Sequence, residues 1–419
     1  MPSRLRLPIA LVTAVVVAEA AVLLLRPRDR LPTPVVVSPR EYFSEAQLRR
    51  AERFRAGQLI LFGVSTAIEL GLLVLVVRRP PAVMRGRPRR PILAGAATAA
   101  ALSLATGLGT LPVSAIARER AKDVGLVTQS WLGWAGDVAK SRAIGAALAG
   151  GGGALLIVGM RRFGRRWWLP GAAVVTVFGV VITYAGPIVL DPVFNKFTPL
   201  KPGQLRTDVV ELARRAGVEV GQVYVVDASR RTTAANAYVA GLGRTKRVVL
   251  YDNLTKNFKP AETRLIVAHE LGHVNHRDVA HGLLWLALVA PAGMFAAARL
   301  GEALTGADDT APRAVAGMVL ALAIVVPVLT IVSNQVSRAV ERRADAYSLT
   351  LTRDPQTLIE MQRRLAITNV ADPDPPALQA ALLGTHPPTI ERIGTALGFE
   401  RALSSGRRAA AGARSRAAP

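Results

Sequence analysis

The sequence predicts a mostly α-helical, polytopic membrane protein with about seven transmembrane helices and a small α+β part that carries a short β-sheet. Three observations lead there. Of the 419 residues, 51% are hydrophobic. They gather in seven apolar runs near the roughly 20 residues that a bilayer-spanning helix requires. Between the fifth and sixth runs the chain turns polar for about ninety residues, and strand-like and helix-like patterns alternate there.

The runs lie near 7–25, 57–77, 91–115, 143–160, 168–190, 281–301 and 312–336. Arg4 and Arg6 precede the first, and Ala18-Glu19-Ala20 mimics a signal-peptide cleavage site. Apolar residues continue beyond it through Leu25, which favours an uncleaved membrane helix. The fourth run has the weakest signal because Gly150 to Gly153 interrupt it. Glu69 lies inside the second run, either as a functional intramembrane acid or at a position facing a water-filled space.

In the polar stretch, residues 205–217 read as a helix ending at Gly217, and 223–227 as a strand. Residues 236–241 and 247–254 read as two more strands, joined by a turn at Gly243 to Lys246. Pro260 suits the first turn of a helix that runs on through a histidine cluster. After the seventh apolar run the helix is expected to continue through 337–352. A Pro-rich break follows at Asp372 to Pro376, then HPPTIERIGTAL at 386–397. The Ala/Arg/Ser/Gly tail from 402 is predicted to be disordered.

The formal charge is +24, with 53 Lys+Arg against 29 Asp+Glu. A GC-rich codon bias toward Ala, Gly, Pro and Arg accounts for it. Contact with anionic lipid is the functional alternative, because arginines crowd between the apolar runs. No basic face interleaved with aromatics supports a nucleic-acid partner. Arginines fall almost equally on the two sides of the bundle: Arg4, Arg6, Arg78 to Arg90 and Arg161 to Arg166 on one, Arg26 to Arg55 and Arg118 to Arg142 on the other. Charge therefore does not decide the orientation. The chain has no cysteine, which excludes disulfides and thiolate metal sites.

Four of the five histidines fall within residues 264–281. His269-Glu270-Leu271-Gly272-His273 is H-E-x-x-H. On a helix both imidazoles lie on one face and can reach one ion, while the glutamate points about 100° away, toward a water at the metal's open position. This is the arrangement of a zinc hydrolase, with Glu270 taking a proton from zinc-bound water. A helix whose surface histidines merely coincide is the competing reading. A catalytic zinc needs a third protein ligand. His276 lies about 10.5 Å from His269 along the axis, too far for one ion, and is read as a surface or supporting residue. His281 is read as interfacial. The metzincin third histidine is absent, since position 279 is Val. Glu341 is the better candidate, with Asp345 one turn further on the same helix face. Spacing alone weighs that equally against an ordinary charged face.

With these pieces the sequence resembles the integral-membrane zinc metalloproteases that include the type I CAAX prenyl endopeptidases and, more distantly, the HtpX proteases. The resemblance covers about 184–397. It rests on DPVFNKFTPL (191–200), NAYVAGLGRTKRVVLYDNL (236–254), VAHELGHVNHRD (267–278), SRAVERRADAYSLTL (337–351) and HPPTIERI (386–393). It implies a gluzincin-like protease part and seven helices around a water-filled chamber with the zinc site at its end. It implies His269, His273 and Glu341 as ligands of one Zn2+ per chain, Glu270 as general base and Asp345 as a proton donor behind the metal. His386 and Arg392 would steady the substrate carbonyl or oxyanion. Asn236 would begin the substrate-binding strand beside the cleft.

The expected organisation is five membrane helices in 1–190, a catalytic insert in 191–280, two further helices in 281–336, a C-terminal catalytic part in 337–401 and the basic tail in 402–419. The expected function is zinc-dependent hydrolysis of membrane-associated proteins or peptides, in a bacterial plasma membrane, with the catalytic side in the cytoplasm. The bacterial composition argues for trimming or clearing membrane proteins rather than cleaving prenylated motifs. The alternative is a non-proteolytic membrane protein with a structural metal site or a transport chamber.

Overall fold

The computed structural model describes residues 3–241, 246–306 and 311–416. The expected turn at Gly243 lies outside the described residues. Seven described helices are long and apolar enough to cross a bilayer. They are α1 (Ser3–Leu25), α2 (Glu45–Arg78), α3 (Pro91–Gly109), α5 (Trp131–Phe163), α6 (Trp168–Val189), α11 (Asp278–Thr305) and α12 (Ala311–Thr352). The third apolar run stops at Gly109 rather than 115. The chain turns there, and α4 (Leu111–Asp123) starts afresh with Pro112 in its first turn, where a missing N–H costs nothing.

The glycines of the fourth run let α3 and α5 meet backbone to backbone. A Cβ on Gly153 would lie 2.5 Å from the Gly95 carbonyl oxygen and 2.7 Å from the Ala99 methyl. Small residues at such crossings are how membrane helices pack closely without a hydrophobic driving force.

The bundle is unevenly filled. Of the most apolar window of each helix, 39% of residues are buried in α11 and 44% in α12, but only 11% in α2 and 6% in α6. Glu69 is exposed on α2.

At one end of the bundle sit α7 (Asp191–Phe194), β1 (Phe197–Pro199), α8 (Gln204–Arg215), β2 (Gln222–Val226), β3 (Ala237–Ala240), β4 (Arg247–Tyr251), α9 (Asp252–Asn257) and α10 (Pro260–Asn275). The sheet order is β1-β2-β4-β3, with β2 and β4 parallel and the outer pairs antiparallel. The predicted strand at 247–254 ends at Tyr251, because Asp252 opens α9. The sheet's core joins Val248, Leu250, Leu265, Leu271, Leu349, Leu358 and Ile393, so α10 and the far ends of the chain share one core. The last two come from α13 (Pro355–Thr368) and α15 (Thr389–Arg416), with the short α14 (Ala377–Leu383) between them. α15 runs on to Arg416, into the stretch from 402 expected from the sequence to be disordered. The alanines and arginines of that stretch are strong helix formers and extend a helix already anchored by Ile393.

Candidate active site

Helix α10 carries the H-E-x-x-H motif. Pro260 sits in its first turn, and the Glu262 side chain accepts a hydrogen bond from the Lys259 N–H at 2.7 Å. Leu265, Val267, Ala268 and Leu271 are at most 1% exposed, so the motif is clamped in the shared core. The helix ends at Asn275 with His276 as its cap, and Arg277 adopts a left-handed conformation with φ 55°. α11 begins at the next residue, Asp278.

α12 arrives as one 42-residue helix from inside the bundle and lays Glu341 and Asp345 against α10. His269 Nε2 and His273 Nε2 are 3.2 Å apart. Glu341 Oε2 is 3.1 Å from His269 Nε2, and Glu341 Oε1 is 3.6 Å from His273 Nε2. His269, Glu270 and His273 each place a ligand atom within 4.8 Å of the others. The structure thus brings together the three predicted ligands and the predicted base.

Behind them lies a second layer. His269 Nδ1 is 3.0 Å from Asp345 Oδ1. Asp345 is 2% exposed and accepts two hydrogen bonds from Arg392, at 2.7 and 2.6 Å. Burial opposes a charge on His269, but the carboxylates of Asp345 and Glu341 beside it outweigh that and push its pKa up to about 10. Burial raises the Glu270 carboxyl above the ordinary range.

His386 lies at the mouth, 57% exposed in its side chain, with Nε2 3.4 Å from Glu341 Oε2. Asn236 stands where β3 starts. Its carbonyl accepts from the Tyr251 N–H, and its side chain accepts from the Ala237 N–H. His276 bonds the Gly272 carbonyl through Nδ1 and stacks edge-on to Tyr347, and His281 bonds the Arg277 carbonyl. Neither joins the cluster.

One functional pair escaped sequence reasoning. Asp278 Oδ2 lies 2.9 Å from His273 Nδ1, and Asp278 Oδ1 accepts from Arg343, which also reaches Asp29 at 3.5 Å. Each histidine therefore has its own carboxylate, and each carboxylate its own arginine.

A family model described as peptidase family M48 matches residues 199–399. A second, described as CAAX prenyl protease N-terminal, five membrane helices, matches 28–196. The chain is 32% identical to the uncharacterized metalloprotease YhfN of Bacillus subtilis, over 70% of either chain. The chain belongs to peptidase family M48.

This membrane-embedded M48 chain is also 33% identical to a probable CAAX prenyl protease 1 of Schizosaccharomyces pombe, over 51% of this chain and 46% of that one. It is 32% identical to a CAAX prenyl protease 1 homolog of Arabidopsis thaliana, over 52% and 53%. The match thus spans about half the length of these CAAX relatives. The crystal structure of S. mikatae Ste24p shares the fold, with a TM-score of 0.70 at 20% identity over 94% of this chain and 99% of that one. The mostly helical membrane fold with a small sheet is therefore the fold seen in Ste24p.

Proposed function

We propose that this M48 protein is a zinc-dependent endopeptidase acting on membrane-associated proteins or peptides. One observation carries the reading. Three donors from two helices, His269, His273 and Glu341, converge at 3.1–3.6 Å with Glu270 beside them. Tetrahedral zinc with bonds of about 2.0–2.1 Å sets its ligands about 3.3 Å apart. Glu341 Oε2 is buried without a hydrogen bond although a histidine nitrogen is 3.1 Å away. A cation shared between His269 Nε2 and Glu341 Oε2 would satisfy both atoms. Two neutral nitrogens and a carboxylate are the donor set of a catalytic rather than a closed structural site.

A zinc ion held there would acidify water and polarise the scissile carbonyl. Glu270 takes the proton from the attacking water and delivers it to the leaving amine. Its burial keeps it a stronger base than a surface carboxylate. His386, open at the mouth, donates to the developing oxyanion. Arg392 spends two donors on Asp345, and both Asp345 oxygens are engaged. We therefore assign Asp345 and Arg392 to holding His269 in place rather than to proton donation or direct substrate contact. β3 pairs only with β4 among the described residues. Its other edge, starting at Asn236, would hold an extended peptide by main-chain pairing. By the family resemblance, we assign the catalytic end to the cytoplasmic face of a bacterial plasma membrane.

The test compares wild type with Glu270→Gln, both purified in detergent. Both should carry one zinc, and only the wild type should cleave an unstructured peptide, with chelator abolishing the activity. Zinc in both and cleavage by neither would favour the structural-metal or transport reading. Absence of zinc from both would dismiss His269, His273 and Glu341 as ligands.

A further inference from the structure

The arginines at the end of the bundle away from the histidine cluster have no part in that chemistry. Six lie in residues 78–90 and four in 161–166, with no lysine and no acid in either stretch. None forms an ion pair among the described residues, whereas arginines near the catalytic end, such as Arg231, Arg343 and Arg392, do.

Arg161 and Arg165 also line a cavity of about 470 Å³, set where α5 and α11 end and α6 and α12 begin. α11 separates it from Asp278 by 28 residues, roughly 40 Å of helix. Its floor is apolar, built from Leu156, Ile157, Met160 and Met318. The one acid on its wall among the described residues, Glu302, is held by Arg299 at 2.8 Å. The outer surface of α5 beside it exposes Leu155, Val158 and Phe163, the surface that acyl chains would cover.

We propose that this cavity binds the phosphate headgroup of an anionic phospholipid. Arg161 and Arg165 grip the phosphate, and the acyl chains descend over the apolar floor and the flank of α5. Two features choose lipid over a soluble anion: the apolar floor, and its position at a helix end where headgroups lie. Guanidinium groups pair with phosphate oxygens through two parallel hydrogen bonds, and basic pockets between membrane helices recognise such headgroups. The inference does not rest on the proteolytic reading.

Native mass spectrometry of the full chain, after reconstitution with equimolar phosphatidylglycerol and phosphatidylcholine and stepwise delipidation, reads it directly. Wild type should retain phosphatidylglycerol selectively. The Arg161→Gln/Arg165→Gln double variant should lose it by about tenfold or more. Arg87→Gln/Arg89→Gln removes the same charge outside the cavity and should retain it. Ala314→Phe, which fills the cavity without changing charge, should release it. Unchanged thermal midpoints in detergent keep the comparison on the folded protein. Equal loss in both arginine pairs, retention by Ala314→Phe, or displacement of the lipid by millimolar inorganic phosphate would each overturn the proposal.

Discussion

Asp278 and Asp345 do the same job for two different histidines. A metal-binding imidazole needs its other nitrogen fixed, or the ring turns and the wrong tautomer faces the ion. Removing such a partner typically costs 10–100-fold in metal affinity. Asp278→Asn should therefore keep the fold but weaken zinc binding by about that factor, measured by competition with a chromogenic chelator. Wild-type affinity in the variant would remove Asp278 from the site. Asp345→Asn carries a further cost. It leaves Arg392, 14% exposed in its side chain, without its counter-charge, and breaking a buried pair costs about 3–5 kcal/mol. A lowered thermal midpoint even in excess zinc is the expected result. Far from the metal, burial opposes the charge of Asp252, but hydrogen bonds from Lys256 and Ser229 outweigh it and hold its carboxyl below the usual range. Its contribution is present above the ordinary carboxylate pKa of about 4 and lost as pH falls through the lowered folded value. The gap in midpoint between wild type and Asp252→Asn should stay constant from neutral pH to about 5 and close below about 4. Asp278 stands inside a quoted motif, yet its role was not legible. It depends on the left-handed turn at Arg277, which doubles the chain back onto His273.

At the level of elements, the site is assembled from one short and one long helix. α10 was legible from its proline start and its histidines. The continuity of α12 was legible too, since no breaker interrupts 337–352. α13, α14 and β1 were not. β1 is three residues long and ends in proline, so it has almost no period to read. The glycine run of α5 was visible but ambiguous, because only the approach of α3 explains it. Gly153→Leu should force α3 and α5 apart and cost about 1–3 kcal/mol through overpacking. A matching drop in the thermal midpoint in detergent would show it, and an unchanged midpoint would contradict the close crossing. The same logic applies at Gly394 of α15, where a Cβ would lie 2.3 Å from the Val35 carbonyl oxygen. That contact ties the segment after α1, and with it Asp29, to the catalytic end.

For the molecule as a whole, an exposed Glu69 within the apolar stretch of α2 favours a bundle that encloses water. A carboxylate in hydrocarbon is costly, whereas one facing an aqueous interior is not. The chain has no cysteine, so Glu69→Cys would be its sole thiol. A water-soluble, charged maleimide should label it in lipid nanodiscs at a rate close to that of a surface cysteine. Protection from the reagent would place Glu69 against lipid. The sequence by itself determined the membrane class, the seven apolar helices and the zinc-type motif. Each is a local signal, carried by hydropathy over one helix length or by spacing over one helical turn. Only the tertiary structure decided that Glu341 faces the histidines, that Asp345 and Arg392 stand behind them, and that Asp278 with Arg343 completes the second histidine. Those pairings join residues up to dozens of positions apart. What brings them together is the packing of α10, α11, α12 and α15, and no spacing along the chain encodes it.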